Sequence, residues 1–485
     1  MLLCVLATSA AADEPAPVLS SALARIEFAS GLPSRWLACE PECTSAAARR
    51  AELLGGECGT TLAWHAPANP GLAVEFAAAR YDVDQDADGV TLRSQEPLAG
   101  RYRSHRYRLD PASGALEAQL DLPDGLGLAW AGGQAFIPET LPGFGVIYSR
   151  VRAVLLSADG QQDLLDEDAA AVSGMAAGEW GGIRQRFWAL LVSSDSDIPI
   201  LQAEALAENR PRVAFVPAAG ATLRLYAGPV DWHRLGQVDP VLREMLFAAL
   251  WDWLRWLCVG MLVLLGWIKQ LVGNPGLAII LLSLSVKILM YPLTRIADAW
   301  QAEVNRTQAL LQPKLDSIKR QYKGEEAHNR VLKVYEEQGV HPMYTLRSLA
   351  GFLIQIPIFI AAFDMLGENF ALNEAGFLWI EDLAKPDRIA PLGFVLPFFG
   401  GQLNLLPFLM TGFTLLASML QAQPDLTPAL ERQQQLKLYL MAAAFFVLFY
   451  TFPAGMVLYW TTNNLLHLLK ILPASMRGGS GSATG

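Results

Sequence analysis

The sequence predicts a multi-domain protein, a β-sandwich followed by an α-helical membrane bundle of five transmembrane helices, and three observations predict it. Mean hydropathy is +0.27, with 52% hydrophobic and 17% charged residues among 485; this is too apolar for an ordinary soluble chain and long enough for at least two domains. The average hides a split. Up to about residue 240, charged residues, Gly, Pro and apolar residues mix as in a globular domain, whereas most long apolar runs come after Leu246. The clearest of these runs, residues 274–293 (NPGLAIILLSLSVKILMYPL), is apolar for nearly its whole length. About 20 residues at 1.5 Å rise span the roughly 30 Å hydrocarbon core of a bilayer. The net charge of −10 argues against direct DNA binding, because a duplex needs a basic face to displace its counterions.

Residues 1–12 (MLLCVLATSAAA) are short, apolar and end in small residues, with Ala10 and Ala12 in an A-x-A pattern but no basic n-region. They are expected to be a signal-like segment or a truncated N-terminal anchor, which implies export of the domain beginning at residue 13. Residues 13–240 read as the β-rich domain: 90–94, 102–109 and 115–122 are short, partly alternating stretches separated by the turn clusters 111–114 and 123–125, as in an antiparallel sandwich. Arg101, Arg103, Arg106 and Arg108 form a basic face there, which a solvated strand edge explains as well as a ligand patch. Cys39, Cys43 and Cys58 lie close together; one disulfide among them would leave an odd thiol, and the pairing stays open. Their spacing lacks the second CxxC or paired histidines of a zinc site, so no metal is expected. Cys258 reads as a small core residue. No Gly-rich phosphate loop before a helix, no HExxH and no GxSxG occurs in this half, so neither an enzyme nor a cofactor is expected.

After Asp239 the composition changes. Residues 245–271 hold Trp251, Trp253, Trp256 and Trp267 around an uninterrupted apolar core, 256–268, of only 13 residues. Tryptophans belong at headgroup depth, and the expectation is an amphipathic helix lying along the membrane surface. The first span is 274–294, and it carries Lys287. A cation inside a spanning helix costs about 3 kcal/mol or more, so it faces a bundle interior or a wet cavity and marks function, unless it snorkels from the Pro292 end. Residues 295–347 are polar with helical periodicity and nine Lys or Arg; Gly324 near the middle suggests a helical hairpin, and its basic charge holds it in the cytoplasm. The chain then returns outward through 348–367 to an acid-rich external loop, 368–402, whose piece 389–401 is expected to stay at the outer surface. Segment 403–421 goes in, 422–435 is a short cytoplasmic connection, 436–452 goes out and 454–472 comes back. The tail 473–485, rich in Gly and Ser, is expected to be disordered and cytoplasmic.

With these polar inserts, the five spans resemble the YidC-type membrane insertases and their mitochondrial and chloroplast relatives. The motifs are VKILMYPLT (286–294), LQPKLDSIKRQY (311–322), Gln355 and Pro357 in LIQIPIFIAAF, FLWIEDL (377–383) and FPAGMVLYWTTNNL (452–465). The soluble half is similar more loosely, through EWGGIRQRFWALLV (179–192) and LYAGPVD (225–231), to the β-supersandwich periplasmic domain of the Gram-negative members. The resemblance implies a multi-pass inner-membrane protein whose five-helix core encloses a hydrophilic groove, open to cytoplasm and lipid and sealed outside. Lys287 occupies the position of a basic residue that is commonly arginine; lysine keeps the charge and loses the planar fork. Tyr459 and Trp460 match aromatics of the substrate-facing helix. Asp364 departs from the family, standing where an aromatic is usual.

The function this implies is a membrane protein insertase and chaperone that passes nascent transmembrane helices into lipid without ATP. A polar flank crossing hydrocarbon meets a barrier of several kcal/mol, and a wet half-channel with one fixed cation shortens the dry path. Burial of the substrate span, about 25 cal/mol per Å², supplies the driving force. Ser283, Ser285, Gln355, Asn463 and Asn464 are candidate groove-lining groups; the competing reading is interhelical hydrogen bonding at about 0.6 kcal/mol each. Arg295, Lys314, Lys319 and Arg320 of the hairpin are candidate contacts for substrate, ribosome or a Sec-type translocon. Two other classes are a specialised paralog acting as assembly scaffold for an envelope complex, and a transporter or channel, against which stands the lack of an inverted repeat.

Overall fold

The computed structural model describes residues 16–478, apart from 41, 44–48, 57–58, 88, 166–169, 208, 338–349 and 421–427. The signal-like segment 1–12, Cys58 and the tail beyond 478 fall outside the described residues. The chain divides into two compact units: Met1–Glu139 with Ser149–Ala248, which is sheet-rich, and Thr140–Tyr148 with Ala249–Gly485, which is helical.

Three antiparallel sheets build the first unit. Four strands pair in chain order as Val18–Ser20, Ala24–Ala29, Leu32–Glu40 and Arg49–Leu54. A five-stranded sheet has the order Ala170–Met175, Ile198–Ala207, Arg210–Val216, Gly127–Ala131, Thr61–His65. A nine-stranded sheet runs Gly160–Asp163, Arg152–Ser157, Trp180–Arg184, Trp188–Ser194, Thr222–Pro229, Leu116–Leu120, Ser104–Leu109, Val90–Ser94, Tyr81–Gln85. The alternation seen in the sequence has its usual cause, since successive side chains leave a strand on opposite faces: Val90, Leu92, His105 and Tyr107 point inward while Arg93 and Arg108 point out. The stretch 187–192 (FWALLV) reads instead as a continuous apolar run because its strand, Trp188–Ser194, paired with Trp180–Arg184, is buried on both faces. Trp36, Tyr107, Trp130, Trp180 and Phe215 fill the core. Two short helices complete the unit, α1 (Pro70–Ala78) and α2 (Trp232–Val238), the latter capped by Asp231, which accepts from the amides of His233 and Arg234.

The arginine face needs correction. Arg103 is buried; it donates to Asp121 at 2.9 Å and to the Leu98 carbonyl at 3.2 Å, Arg101 reaches the same carboxylate, and Arg106 pairs with Asp86. The neutralising acids lie at the ends of neighbouring strands, which their positions in the sequence do not reveal. Cys39 and Cys43 form the disulfide, with Cα atoms 5.0 Å apart, and Cys258 is a buried free thiol.

In the second unit α3 (Asp252–Val272) ends at Gly273 in the left-handed conformation, φ 71°, a common helix stop. Asn274 then caps α4 (Pro275–Gln321), accepting from the Leu277 amide at 3.0 Å with Pro275 at the first helical position. The expected boundary at residue 294 is not a break: the span and the first arm of the hairpin are one helix of 47 residues that takes in Pro292 and Pro313. Its polar half keeps a stripe of buried Ala297, Val304, Leu311 and Leu315, a spacing that keeps one face apolar. The turn falls where Gly324, at φ 66°, opens α5 (Gly324–Glu337).

The remaining helices are α6 (Ala350–Glu368), α7 (Leu405–Leu420), α8 (Pro428–Phe449) and α9 (Ala454–Gly478). Pro473 lies inside α9 rather than ending it. The apolar piece 389–401 is a β-hairpin, Ala390–Leu396 with Gly400–Leu403, turned by Phe398 and Gly400 at positive φ. By length and composition, two helices among the described residues are long and apolar enough to cross a membrane, α3 and α4, with Leu405–Leu420 and Gln435–Phe449 as shorter apolar helices.

The loop between α6 and the hairpin explains the FLWIEDL motif. Phe377 covers the first turn of α4 so closely that a Cβ on Gly276 would come within 2.1 Å of its ring. The carbonyls of Lys385 and Leu383 accept from the amides of Ala454 and Gly455 at the start of α9. Asp387 accepts from the amides of Leu405 and Leu406 at the start of α7 and from Trp379 Nε1. One loop thereby satisfies the orphan donors of two helix N-termini, and α4, α7 and α9 all begin at the same end of the unit.

Candidate functional site

Lys287 lies on the seam between α4 and α9. Ser283, fully buried, donates from its hydroxyl to the Tyr459 carbonyl at 3.4 Å, and one turn later Lys287 Nζ donates to the Asn463 carbonyl at 2.8 Å. Further along, Asp298 and Lys470 approach to 3.4 Å. The partners advance together along both segments, so α4 and α9 run parallel. Phe359 meets Trp460 with ring centroids 4.9 Å apart and Phe363 meets Phe452 at 5.0 Å, which makes α6 antiparallel to α9. Asn404 donates to the Tyr450 carbonyl and Phe408 packs on Phe446, which makes α8 antiparallel to α7.

Lys287 sits 12 residues past the start of α4, about 18 Å along the axis, well inside the helical unit. Its side chain is half-buried, and among the described residues no carboxylate pairs with it. An ammonium has three donors; the Asn463 carbonyl takes one and leaves two for water or a guest. Anchoring on a main-chain oxygen of a neighbouring helix fixes the charge without neutralising it.

The other candidates are spread around α9. Tyr459 is buried and Trp460 half-buried; both line an apolar recess with Phe359, Phe363, Phe449 and Met456. Asn464 faces α7, donating to the Met410 carbonyl at 3.2 Å and to Thr414 Oγ1 at 2.8 Å. Ser285 bonds within its own helix, to the Leu281 carbonyl at 2.8 Å, and Gln355 is half-buried on α6. Thus two candidate pairs meet across the α4–α9 seam, Lys287 with Asn463 and, one turn before them, Ser283 with Tyr459. Arg295, Lys314 and Arg320 are exposed along the polar half of α4, Arg295 over the Tyr291 ring, and Lys319 lies on the same stretch.

Sequence reasoning misses the aromatic recess. Phe359 and Phe363, and Phe445 and Phe449, are each four residues apart, a spacing that puts each pair on one helix face and is the available signal. Tyr148 adds to it from the segment Thr140–Tyr148: its hydroxyl is 3.6 Å from Met456 Sδ and its ring lies 5.9 Å from Phe452.

A sheet-rich unit followed by a helical unit, two of whose helices are long and apolar enough to cross a membrane, is the arrangement of a membrane protein with a separate β-rich domain. Residues 267–475 match the family model described as 60Kd inner membrane protein. Proteins named membrane protein insertase YidC are similar to the chain. That of Syntrophobacter fumaroxidans is 34% identical over 253 residues, 51% of this chain and 42% of the relative. That of Cellvibrio japonicus is 34% identical over 249 residues, 50% and 40%, and that of Prosthecochloris aestuarii is 26% identical over 408 residues, 80% and 64%. The chain therefore matches less than two thirds of the length of each. A solved structure described as active YidC insertase with its first transmembrane domain resolved overlaps 82% of this chain and 95% of that one at TM-score 0.33 and 19% identity, too loose for an argument about fold. Over residues 267–475, less than half of its length, the chain is similar to the YidC-type insertases.

Proposed function

We propose that this protein is a membrane protein insertase and chaperone of the inner membrane, and that its cation on the α4–α9 seam meets nascent transmembrane helices as they pass into lipid. The observation that carries this reading is the half-buried ammonium of Lys287, held at 2.8 Å by the Asn463 carbonyl and paired with no carboxylate among the described residues. A lone intramembrane cation is costly unless it faces water or a guest of opposite charge. A polar or acidic flank crossing hydrocarbon meets a barrier of several kcal/mol, and a fixed positive group midway lowers it. Substrate burial then drives the transfer at about 25 cal/mol per Å², with no nucleotide involved.

In this reading α4, α6, α7, α8 and α9 cross the membrane, in, out, in, out, in; their alternating directions support it, although α7 and the apolar part of α8 are short. The β-rich domain is periplasmic, and the polar half of α4 with α5 projects into the cytoplasm, where Arg295, Lys314, Lys319 and Arg320 receive substrate and contact the ribosome or a Sec-type translocon. Helix α3 lies along the outer surface, which its three exposed tryptophans and the exposed Trp251 at its N-cap support. Ser285, Gln355, Asn463 and Trp460 border the groove, whereas the contacts of Ser283 and Asn464 favour helix-to-helix links. The test is Lys287→Ala in the full chain, assayed for insertion of substrates with acidic and with neutral external flanks. Insertion of the acidic class is expected to drop several-fold and the neutral class to change little; equal insertion of both classes at the wild-type rate would remove the cation from the mechanism.

A further inference from the structure

The β-hairpin before α7 is apolar where a loop would be expected to be polar. From Ile389 to Leu403 (IAPLGFVLPFFGGQL) there is no charged residue, and the side chains stand open: Phe394 is 60% exposed and Val395 79%, with Leu396 and Phe398 also exposed. Its base and its turn, by contrast, are fastened. The Ile389 amide donates to the Leu403 carbonyl at 2.8 Å, the Arg388 amide to Asn404 Oδ1 at 3.1 Å, and Tyr450 Oη to the Gln402 carbonyl at 2.9 Å. Phe399 packs edge-on against Tyr450, and Phe144 covers one side of Phe398. Nothing among the described residues of this unit packs in the same way on Phe394 and Val395, which lie in the irregular stretch of the first strand between the paired Pro391 and Leu396.

Two independent observations name what covers it. The strand Gly400–Leu403 passes within two residues into α7, where Phe408 and Leu416 are also exposed, so the hairpin adjoins a helix whose open apolar side chains lipid covers in a membrane protein. The hairpin also sits at the end where α4, α7 and α9 begin, and Trp267, exposed on the last turns of α3, leads into that same end of α4. Tryptophan at such a position marks headgroup depth. The backbone agrees: an open edge cannot enter hydrocarbon, because its amides would go unpaired, but it is tolerated at the interface.

We propose that this hairpin is a lipid-binding wedge, with Phe394 and Val395 seated among the acyl-chain ends and headgroups of the leaflet at the α7 N-terminus, so that it anchors that end of the helical unit in the bilayer. The claim does not depend on insertase activity. A photo-crosslinking benzoyl-phenylalanine is placed at position 395 of the full chain, and separately at position 320 on the polar part of α4, in native membranes and in phosphatidylethanolamine–phosphatidylglycerol vesicles. Position 395 is expected to give phospholipid adducts several-fold above position 320 in both settings. Adducts to polypeptide as the main product at 395, whether nascent chain or stable partner, overturn the proposal, as does a lipid yield no higher than at 320. Because the side chain at position 395 is open rather than packed on protein, folding is not at stake; the same probe at 394 repeats the measurement on the neighbouring side chain.

Discussion

The two units of this protein solve opposite problems. In the β-rich unit the largest side chains are hidden: Trp36, Trp130 and Trp180 are fully buried, and charged Arg103 goes inside only with Asp121 as partner. In the helical unit Ile288 and Leu289 are 64% and 72% exposed while their neighbour Lys287 is half-buried. Water drives apolar area inward at roughly 25 cal/mol per Å². Lipid has no such preference, so what must be turned inward there is the polar group. The same side-chain chemistry therefore has inverse meaning on either side of Ala248, and an exposed leucine in the second unit is not a flaw in packing.

The largest expected effect tests that inversion directly. Trp130→Ala or Trp180→Ala should destabilise the β-rich unit by about 3–5 kcal/mol, the range for truncating a core aromatic. Leu289→Ala should leave the stability of the helical unit nearly unchanged, because no protein cavity opens. Denaturant unfolding of the full chain in detergent micelles, with limited proteolysis to report each unit, measures both. A loss at Leu289 as large as at Trp130 would mean that Leu289 packs on protein, and the contrast would fail.

A second difference is pH sensitivity, and it belongs to the β-rich unit. His105 is fully buried among Trp64, Phe76 and Tyr81, and its Nδ1 has no partner. Burial pushes its pKa down from 6.5 to about 4, with Asp121 opposing the shift and Arg103 adding to it. The unfolded chain takes up a proton below pH 6.5, whereas the native state refuses it until about 4. Stability is thus complete above 6.5 and falls as the pH drops from 6.5 toward 4, by roughly 3 kcal/mol over the window. Urea midpoints of the β-rich unit between pH 7 and pH 4 should show this slope, and His105→Phe should flatten it. An unchanged slope in the variant would assign the effect to other groups.

How much of this is legible in sequence differs between the units for the same physical reason. The break near residue 240 and the stretches 90–94, 102–109 and 115–122, in which the strands Val90–Ser94, Ser104–Leu109 and Leu116–Leu120 fall, are predicted by alternation and composition, which report local burial. The order of the nine-stranded sheet is not, because strand neighbours such as Leu116–Leu120 and Thr222–Pro229 are distant in sequence. In the helical unit Lys287 stands out because a cation in an apolar run is costly wherever it points. Its partner, the Asn463 carbonyl, is invisible, since every residue carries a carbonyl. Ser283 and Asn464 are legible as polar groups in apolar helices, but not their partners on neighbouring helices, since contacts between helices depend on helix rotation that composition does not encode. The β-hairpin at 390–403 looks like a short apolar piece for a related reason: Gly and Pro announce a turn without announcing that its side chains stay open.

The smallest expected effect separates linking groups from the working one. Asn464 holds α7 to α9 through two donated hydrogen bonds, and Ser283 holds α4 to α9 through one long bond of 3.4 Å. In a membrane such bonds contribute about 0.6 kcal/mol each, because the separated helices also find partners. Asn464→Ala should therefore lower helical-unit stability by about 1 kcal/mol, the two bonds together, and Ser283→Ala by about half of that or less. Neither should distinguish acidic-flanked from neutral-flanked substrates, since neither removes a charge. Steric trapping or denaturation in mixed micelles reads the first quantity, and insertion of the paired substrates reads the second. If Ser283→Ala impaired the acidic class as strongly as Lys287→Ala, the hydroxyl would act by holding the α4–α9 seam in the register that presents the ammonium, and the boundary between linking and working residues would have to move one turn toward the start of α4.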